Sequence, residues 1–457
     1  MPPLPRSRIG RTARFGGMVA GQSLRWAGTQ VVNRGRSDER AQAALEDRAL
    51  STADELVRRL GEMKGAAMKL GQVLSTVDFD LVPESEREGF KERLSALRDD
   101  APAVPFKDLR ALVERELGGP LARHFADFDE VPVAAASIGQ VHRATTPDGR
   151  DVAVKIQYPG IAEAVETDLR NMGVLLPLIK RLAPGLDAKA VAGELRDRVS
   201  EELDYELEAQ HQRTVARALR GHPDVRVPEI DTELSTRRVL VSEFVEGLGF
   251  AAVKDLPEPE RDRFGEIAFR FFYGLVTNVG LVAGDPHPGN YLLCADGRVC
   301  FLDFGLMRRM QPAYLARERA LARAVVAGDA EAVHRGLAEL GYLPDPPAFD
   351  PEGLLAQLRT AGEWYFEPGL RRLDPEYVRH AIEVGSSPRS PYFAQMRRQT
   401  VPPQALLLRR MEGLLFSVLG ELRAGADWGR MALEYMAGAA PSTPLGERDA
   451  AHWAARA

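Results

Sequence analysis

Between Ala283 and Gly305 the chain reads Ala-Gly-Asp-Pro-His-Pro-Gly-Asn-Tyr-Leu-Leu-Cys-Ala-Asp-Gly-Arg-Val-Cys-Phe-Leu-Asp-Phe-Gly. Asp285 stands five residues before Asn290, and Asn290 runs directly into strand-forming residues. A turn at Asp296-Gly297 follows, and a second strand ends at Asp303-Phe304-Gly305. A regular hairpin centred on that turn sets Asn290 opposite Asp303 at its open end. One oxygen ligand from each can then share a cation, and such a pair suits Mg²⁺, which takes hard ligands and keeps several waters. Asp285 is placed to accept or orient a hydroxyl proton in phosphoryl transfer. His287, inside the loop, reads as structural. Asp-Phe-Gly alone commonly marks a strand end. Its spacing from Asp285 and Asn290 makes the set specific.

Upstream, Val141 to Gln157 reads as a hairpin with a turn at Pro147-Asp148-Gly149. In its second strand Val152, Val154 and Ile156 share one face, and Ala153 and Lys155 share the other. A strand lysine facing away from the core can reach nucleotide phosphates. Its acidic partner lies among Glu201, Glu202, Asp204, Glu206 and Glu208, on a long acidic helix expected over about 189–220. The stretch Ala134-Ala135-Ala136-Ser137 occupies the place of a phosphate-covering loop. Alanine carries a Cβ, so this backbone cannot approach phosphates or take positive φ as glycine does. A connecting strand ends near Glu243 and Val245, which join Ala134, Ala135, Ala136, Ser137 and Lys155 as nucleotide-binding candidates. From 257 onward the pattern is helical, with a strand-rich interruption at 291–303. No long activation segment follows Asp303-Phe304-Gly305, so a peptide substrate has little to dock on.

The rest of the chain fits a globular protein: 457 residues, 45% hydrophobic and 28% charged. The sequence divides into a basic leader (1–37), a helical extension (38–124), a strand-rich lobe (125–246), a helical lobe (247–425) and a tail (426–457) whose last fifteen or so residues read as frayed. The fold class is α+β, bilobal and kinase-like in order. Cys294 and Cys300 match neither a disulfide framework nor a zinc spacing. The leader holds seven arginines and no acid, a composition for peripheral contact with an anionic membrane or for a transit peptide. Phe15–Leu24 falls short of the roughly 20 residues a span needs. Ala405–Leu422 is interrupted by Arg409, Arg410 and Glu412. The expected location is cytoplasmic or peripheral to a membrane, and no nucleic-acid partner is expected.

These motifs, with Lys69-Leu-Gly-Gln72 and Glu202-Leu-Asp204, resemble the UbiB (aarF-domain) family of atypical kinases. The resemblance implies ATP and Mg²⁺ as cofactors, with Lys155 as the nucleotide lysine and Glu208 as its partner. Asp285 would sit at the catalytic centre, with Asn290 and Asp303 on the metal. It also implies that Lys69 and Gln72 lie on a helix folded over the active site, with Glu202 and Asp204 holding Lys69. The family is associated with ATPase activity and with quinone or other isoprenoid-lipid metabolism, so a lipid or small molecule is the expected substrate. A nucleotide-binding regulator or lipid-binding module with negligible turnover is the alternative, and a small-molecule kinase of the aminoglycoside or choline type is a third. Replacing Ala135 by Gly should loosen the alanine stretch and change nucleotide preference or autophosphorylation. Parallel titrations of ATP and GTP and a radiolabel assay check this. Identical values in the two proteins would count against the argument.

Overall fold

The structure is a computed structural model. It describes residues 104–136, 138–163, 165–166, 203–386 and 390–456. The basic leader, Lys69, Gln72, Ser137, Glu201 and Glu202 lie outside the described residues. Two compact units are present. One runs to Leu207 and takes up Asp231–Ser242; the other holds Glu208–Ile230 and everything from Glu243 onward.

In the first unit, helix α1 (Phe106–Glu116) buries Leu109, Leu112 and Val113, one stripe at helical spacing. A short helix α2 (Leu121–His124) follows. Strands β1 (Asp127–Phe128), β2 (Ala134–Ala136), β3 (Gly139–Thr145) and β4 (Asp151–Gln157) come next. The sheet order is β1-β3-β4-β6, where β6 is Val239–Glu243, with β2 on β3. As the alternation requires, Val152, Val154 and Ile156 are buried and pack with the α1 stripe, Val239 and Val241. Lys155 lies on the opposite face and is half-buried. The alanine stretch is not wholly a loop. Ala134, Ala135 and Ala136 pair with Val141, Gln140 and Gly139 as a short antiparallel strand.

Helix α3 (Tyr205–Ala218) leads from Leu207 into the second unit. There, β5 (Val225–Arg226), β7 (Leu248–Gly249), β9 (Tyr291–Leu293) and β10 (Val299–Phe301) form a sheet in the order β5-β10-β9-β7. Helix α4 (Phe250–Val253) precedes α5 (Glu258–Gly274), which begins with exposed charged residues and from Phe264 onward is buried on nearly every side. Its Phe271 stacks on Phe301 of β10 with ring centroids 3.6 Å apart. Strand β8 (Leu281–Ala283) pairs with β11 (Met307–Arg309), so strands begin ten residues earlier than the sequence pattern indicated. Helices α6 (Pro312–Ala327), α7 (Ala330–Leu340), α8 (Pro351–Ala361), α9 (Glu363–Phe366), α10 (Pro375–Ser386), α11 (Phe393–Met396), α12 (Leu406–Leu422) and α13 (Trp428–Ala437) complete the core. No helix among the described residues is long and apolar enough to cross a membrane.

The C-terminal segment corrects the expectation of fraying. Pro444–Ala454 forms helix α14, capped by the Thr443 hydroxyl accepting from Gly446 N–H. Its Asp449 is buried and accepts from Tyr435 Oη at 3.2 Å and Trp453 Nε1 at 3.2 Å. His222 Nε2 lies 3.0 Å from the same carboxylate. His222 Nδ1 accepts from the N–H groups of Asp224 and Val225, so Nε2 carries the hydrogen and donates to Asp449. Arg448 binds Asp224 through two nitrogens, at 3.0 and 2.8 Å. Burial raises the Asp224 pKa, but Arg448 and Arg263 outweigh it and leave the carboxyl below its ordinary value. The small residues of this segment conceal one acid with three donors, two of them buried. Asp449→Ala strands all of them and is expected to cost about 3 kcal/mol in urea unfolding of the full chain. Asp449→Asn keeps one acceptor oxygen and should cost less.

Candidate active site

The site is built on the loop from β8 to β9 and on the β9–β10 hairpin. Gly284 follows strand β8, and a Cβ on it would stand 2.2 Å from Cδ1 of Leu407 on α12. Only glycine lets the loop approach α12 this closely. Asp285 follows. Its carbonyl accepts from His287 N–H at 2.7 Å, and Asn290 N–H donates to His287 O at 3.0 Å. The His287 ring caps the 3-10 turn Pro288–Asn290, with Nδ1 accepting from Gly289 N–H at 3.1 Å. The histidine is therefore built into the loop's own frame. Tyr291, next in the chain, is buried among Phe250, Phe264, Phe272 and Phe301. Burial, and then the charge of Asp285, hold its hydroxyl well above the ordinary pKa.

The hairpin register differs by one from the sequence reading. Cys300 faces Leu292 and Phe301 faces Tyr291, and Leu302 N–H donates to Asn290 O at 3.0 Å. Asn290 is thus opposite Leu302 rather than Asp303. The cause is the turn. Gly297, at φ +83°, closes a three-residue connection with Gly297 N–H on Cys294 O and Cys294 N–H on Arg298 O. The hairpin is therefore centred on Asp296, not between Asp296 and Gly297. The two side chains still meet, because that of Asp303 reaches across the one-residue offset. Asn290 Nδ2 lies 3.4 Å from Asp303 Oδ2. Asp303 Oδ1 accepts from Gly305 N–H at 2.9 Å, which fixes the carboxylate.

Among the described residues no three His, Cys, Asp or Glu side chains gather to hold a metal ion. Asn290 and Asp303 supply two hard oxygens if the Asn290 amide turns its oxygen inward. That donor set fits Mg²⁺, which commonly takes one or two protein ligands and fills its shell with water and phosphate.

Helix α3 meets the Asp-Phe-Gly turn. A Cβ on Gly305 would lie 3.6 Å from Oε2 of the buried Glu208. His211 Nδ1 is 3.2 Å from Phe304 O. Burial lowers the His211 pKa, against the pull of that carbonyl, so the ring is neutral and donates. At the helix start, Asp204 Oδ1 accepts from the N–H groups of Glu206 and Leu207 at 3.1 and 3.2 Å, an N-cap. Its Oδ2 lies 3.7 Å from Arg237 Nε. Glu243 accepts from Arg226 Nη2 at 2.5 Å. Val245 is buried with Cys294 and Cys300, both free thiols. Lys155 and the alanine strand belong to the first unit, and Asp285, Asn290, Asp303 and Glu208 to the second.

The sequence reading placed Arg410 only as a break in an apolar stretch and gave it no part in the site. From α12 its Nε donates to Gly284 O at 3.0 Å, and its Nη2 lies 3.4 Å from Asp285 Oδ1. Its neighbour Arg409 binds Glu412 at 2.6 Å, Tyr342 Oη at 3.0 Å and Glu318. Burial opposes the Arg409 charge, but Glu412 and Glu318 outweigh it and hold the guanidinium protonated. A signal was present: two adjacent arginines inside an otherwise apolar helix must find partners.

An α+β fold that puts an Asp, an Asn and a second Asp around one loop and hairpin is of the protein-kinase-like class. Residues 96–337 match the family described as ABC1 atypical kinase-like domain, and the chain belongs to that family. It is 32% identical over 353 residues to atypical kinase coq-8, mitochondrial, of Caenorhabditis elegans, covering 74% of this chain and 46% of that protein. It is 30% identical to atypical kinase COQ8, mitochondrial, of Saccharomyces cerevisiae, covering 74% and 67%. The chain therefore spans about half to two thirds of these relatives. A solved structure titled the complex structure of Rv3197-erythromycin from Mycobacterium tuberculosis superposes with a TM-score of 0.62 at 30% identity, covering 87% of this chain and 98% of that one.

The Gly284–Leu407 contact can be tested directly. Gly284→Ala should destabilise the chain by about 2 kcal/mol through overpacking. Adding Leu407→Ala should recover part of that loss, a coupling read by a double-mutant cycle in urea.

Proposed function

We propose that this chain is a Mg²⁺-dependent ATPase or phosphotransferase acting on a lipid or small molecule in quinone or isoprenoid-lipid metabolism. The observation that carries the reading is the meeting of Asn290 and Asp303 at the open end of one hairpin, with Asp285 fixed in the loop that feeds it. In this assignment Asn290 and Asp303 hold the metal, which supplies positive charge to offset that of the phosphates. Asp285 orients the acceptor hydroxyl or water. Arg410 holds the Asp285 carboxylate in place and aimed, which suits a loose transition state needing little general-base help. Lys155 binds phosphate oxygens and Glu208 is its partner. Ala134, Ala135, Ala136 and Ser137 cover the phosphates, and Glu243 and Val245 meet the base. Lys69, Gln72, Glu202 and Asp204 regulate access, with Asp204 sharing that duty with its cap on α3. The mitochondrial COQ8-type relatives support a lipid-linked role, and the lack of a long segment after Gly305 argues against protein substrates in trans.

A second reading has its own support. The guanidinium of Arg410 already lies against Asp285, and the Mycobacterium tuberculosis relative was solved with erythromycin. A nucleotide- or small-molecule-binding regulator with little turnover fits both. Mg²⁺-dependent ATP hydrolysis, with and without anionic liposomes, separates the two. The enzyme reading expects metal-dependent turnover that falls at least about a hundredfold in Asp285→Asn, loses its metal dependence in Asn290→Ala, and rises with liposomes. No turnover in the wild type, with MgATP still raising the melting temperature, selects the regulator.

A further inference from the structure

Lys155 Nζ lies over the ring of Tyr205, 5.0 Å from its centroid. Both residues belong to the first unit. We propose that Tyr205 is a positioning residue for Lys155, holding the ammonium against its ring face so that the lysine is presented to nucleotide phosphates. The lysine's task rests on the function proposed above; the contact itself does not.

Three observations support the assignment. Tyr205 is 1% exposed, and a cation–π contact strengthens when water is excluded from the ring. The backbone that carries the ring is also held from several sides. Tyr205 N–H donates to Arg237 O at 3.1 Å. Two residues beyond Lys155 on the same strand, Gln157 Nε2 donates to Leu203 O at 3.0 Å and to Arg237 O at 3.3 Å. Asp204 caps the helix that Tyr205 opens. The aromatic surface therefore stands at a set place relative to β4 before any ligand arrives. Finally, Tyr205 backs the strand that follows the alanine stretch. A Cβ on Gly139 would lie 3.0 Å from the Tyr205 hydroxyl and 2.2 Å from Ile156 O. One side chain thus abuts both the phosphate-binding lysine and the base of the covering strand.

A lysine on a strand has four rotatable bonds and pays heavily to be ordered. The ring removes part of that freedom in advance. A neutral π face aims the cation without neutralising it.

The test uses the full chain and the variants Tyr205→Phe and Tyr205→Leu. The first readout is the rate at which an amine-reactive acetyl ester modifies Lys155 without nucleotide, mapped by peptide mass spectrometry. Lys254, in the other unit, serves as the reference. Tyr205→Leu should raise the Lys155 rate relative to Lys254 by about fivefold, while Tyr205→Phe, which keeps the ring face, should stay near wild type. The second readout is the dissociation constant for MgATP, which should weaken by a similar factor in Tyr205→Leu and recover in Tyr205→Phe. An unchanged Lys155 rate in Tyr205→Leu overturns the proposal. So does a loss in Tyr205→Phe as deep as in Tyr205→Leu, or a faster rate without weaker binding. If the wild type does not bind MgATP, the nucleotide reading fails on its own, and the modification rates still decide whether the ring holds the lysine.

Discussion

The hydrogen bond from Leu302 N–H to Asn290 O sets the register on which the site depends. It closes the β9–β10 hairpin at the end where the loop from β8 enters and the Asp-Phe-Gly turn leaves. Because the backbone is paired there, the side chains of Asn290 and Asp303 are delivered to one place by strand geometry. The rest of the second unit makes that place rigid. Phe271 stacks on Phe301 behind the hairpin, Gly284 lets α12 press against the loop, and His211 ties α3 to Phe304.

Much of this was readable before any coordinates. The alternation Val152, Val154, Ile156 against Lys155 is a period-2 signal with one buried face, and it decided the orientation of β4. The Asp285–Asn290–Asp303 spacing located the hairpin because Asp-Gly between apolar runs is a strong turn signal. What it did not decide was how many residues the turn takes. Asp-Gly serves both a two-residue connection and a three-residue one that ends in a left-handed glycine, and the two differ by one position in register. The β3–β4 hairpin uses the same device, with Gly149 at φ +83° and Thr146 N–H on Arg150 O. The error was harmless only because Asp303 has a side chain long enough to span it.

Other features were illegible for a different reason. Asp204 was a member of an acidic helix in the sequence, and only three-dimensional placement made it an N-cap. Asp449 and His222 lie far apart in the chain and meet through tertiary packing that no local pattern encodes. Arg410 is the intermediate case. A charge in an apolar helix announces that a partner exists, but not that the partner is the carboxylate of Asp285. Local periodicity located the β3–β4 and β9–β10 hairpins, but not the alanine strand β2 or the β8–β11 pair. The long-range polar contacts that tune the site had to be seen.

Helix α14 bears on how the protein is made. The imidazole of His222 and the carboxylate of Asp224 sit before the Asp285 loop in the chain, yet their partners Asp449 and Arg448 are synthesised long after it. During translation these groups wait in an open, hydrated arrangement, and the unit carrying Asp285 cannot seal its polar interior until the segment through Trp453 has left the ribosome. Non-local closure of this kind is slow and leaves apolar surface uncovered. A nascent chain is therefore open to aggregation until α14 emerges, while the described core of the first unit, where α1 packs on β4 and β6, draws no side chain from that helix.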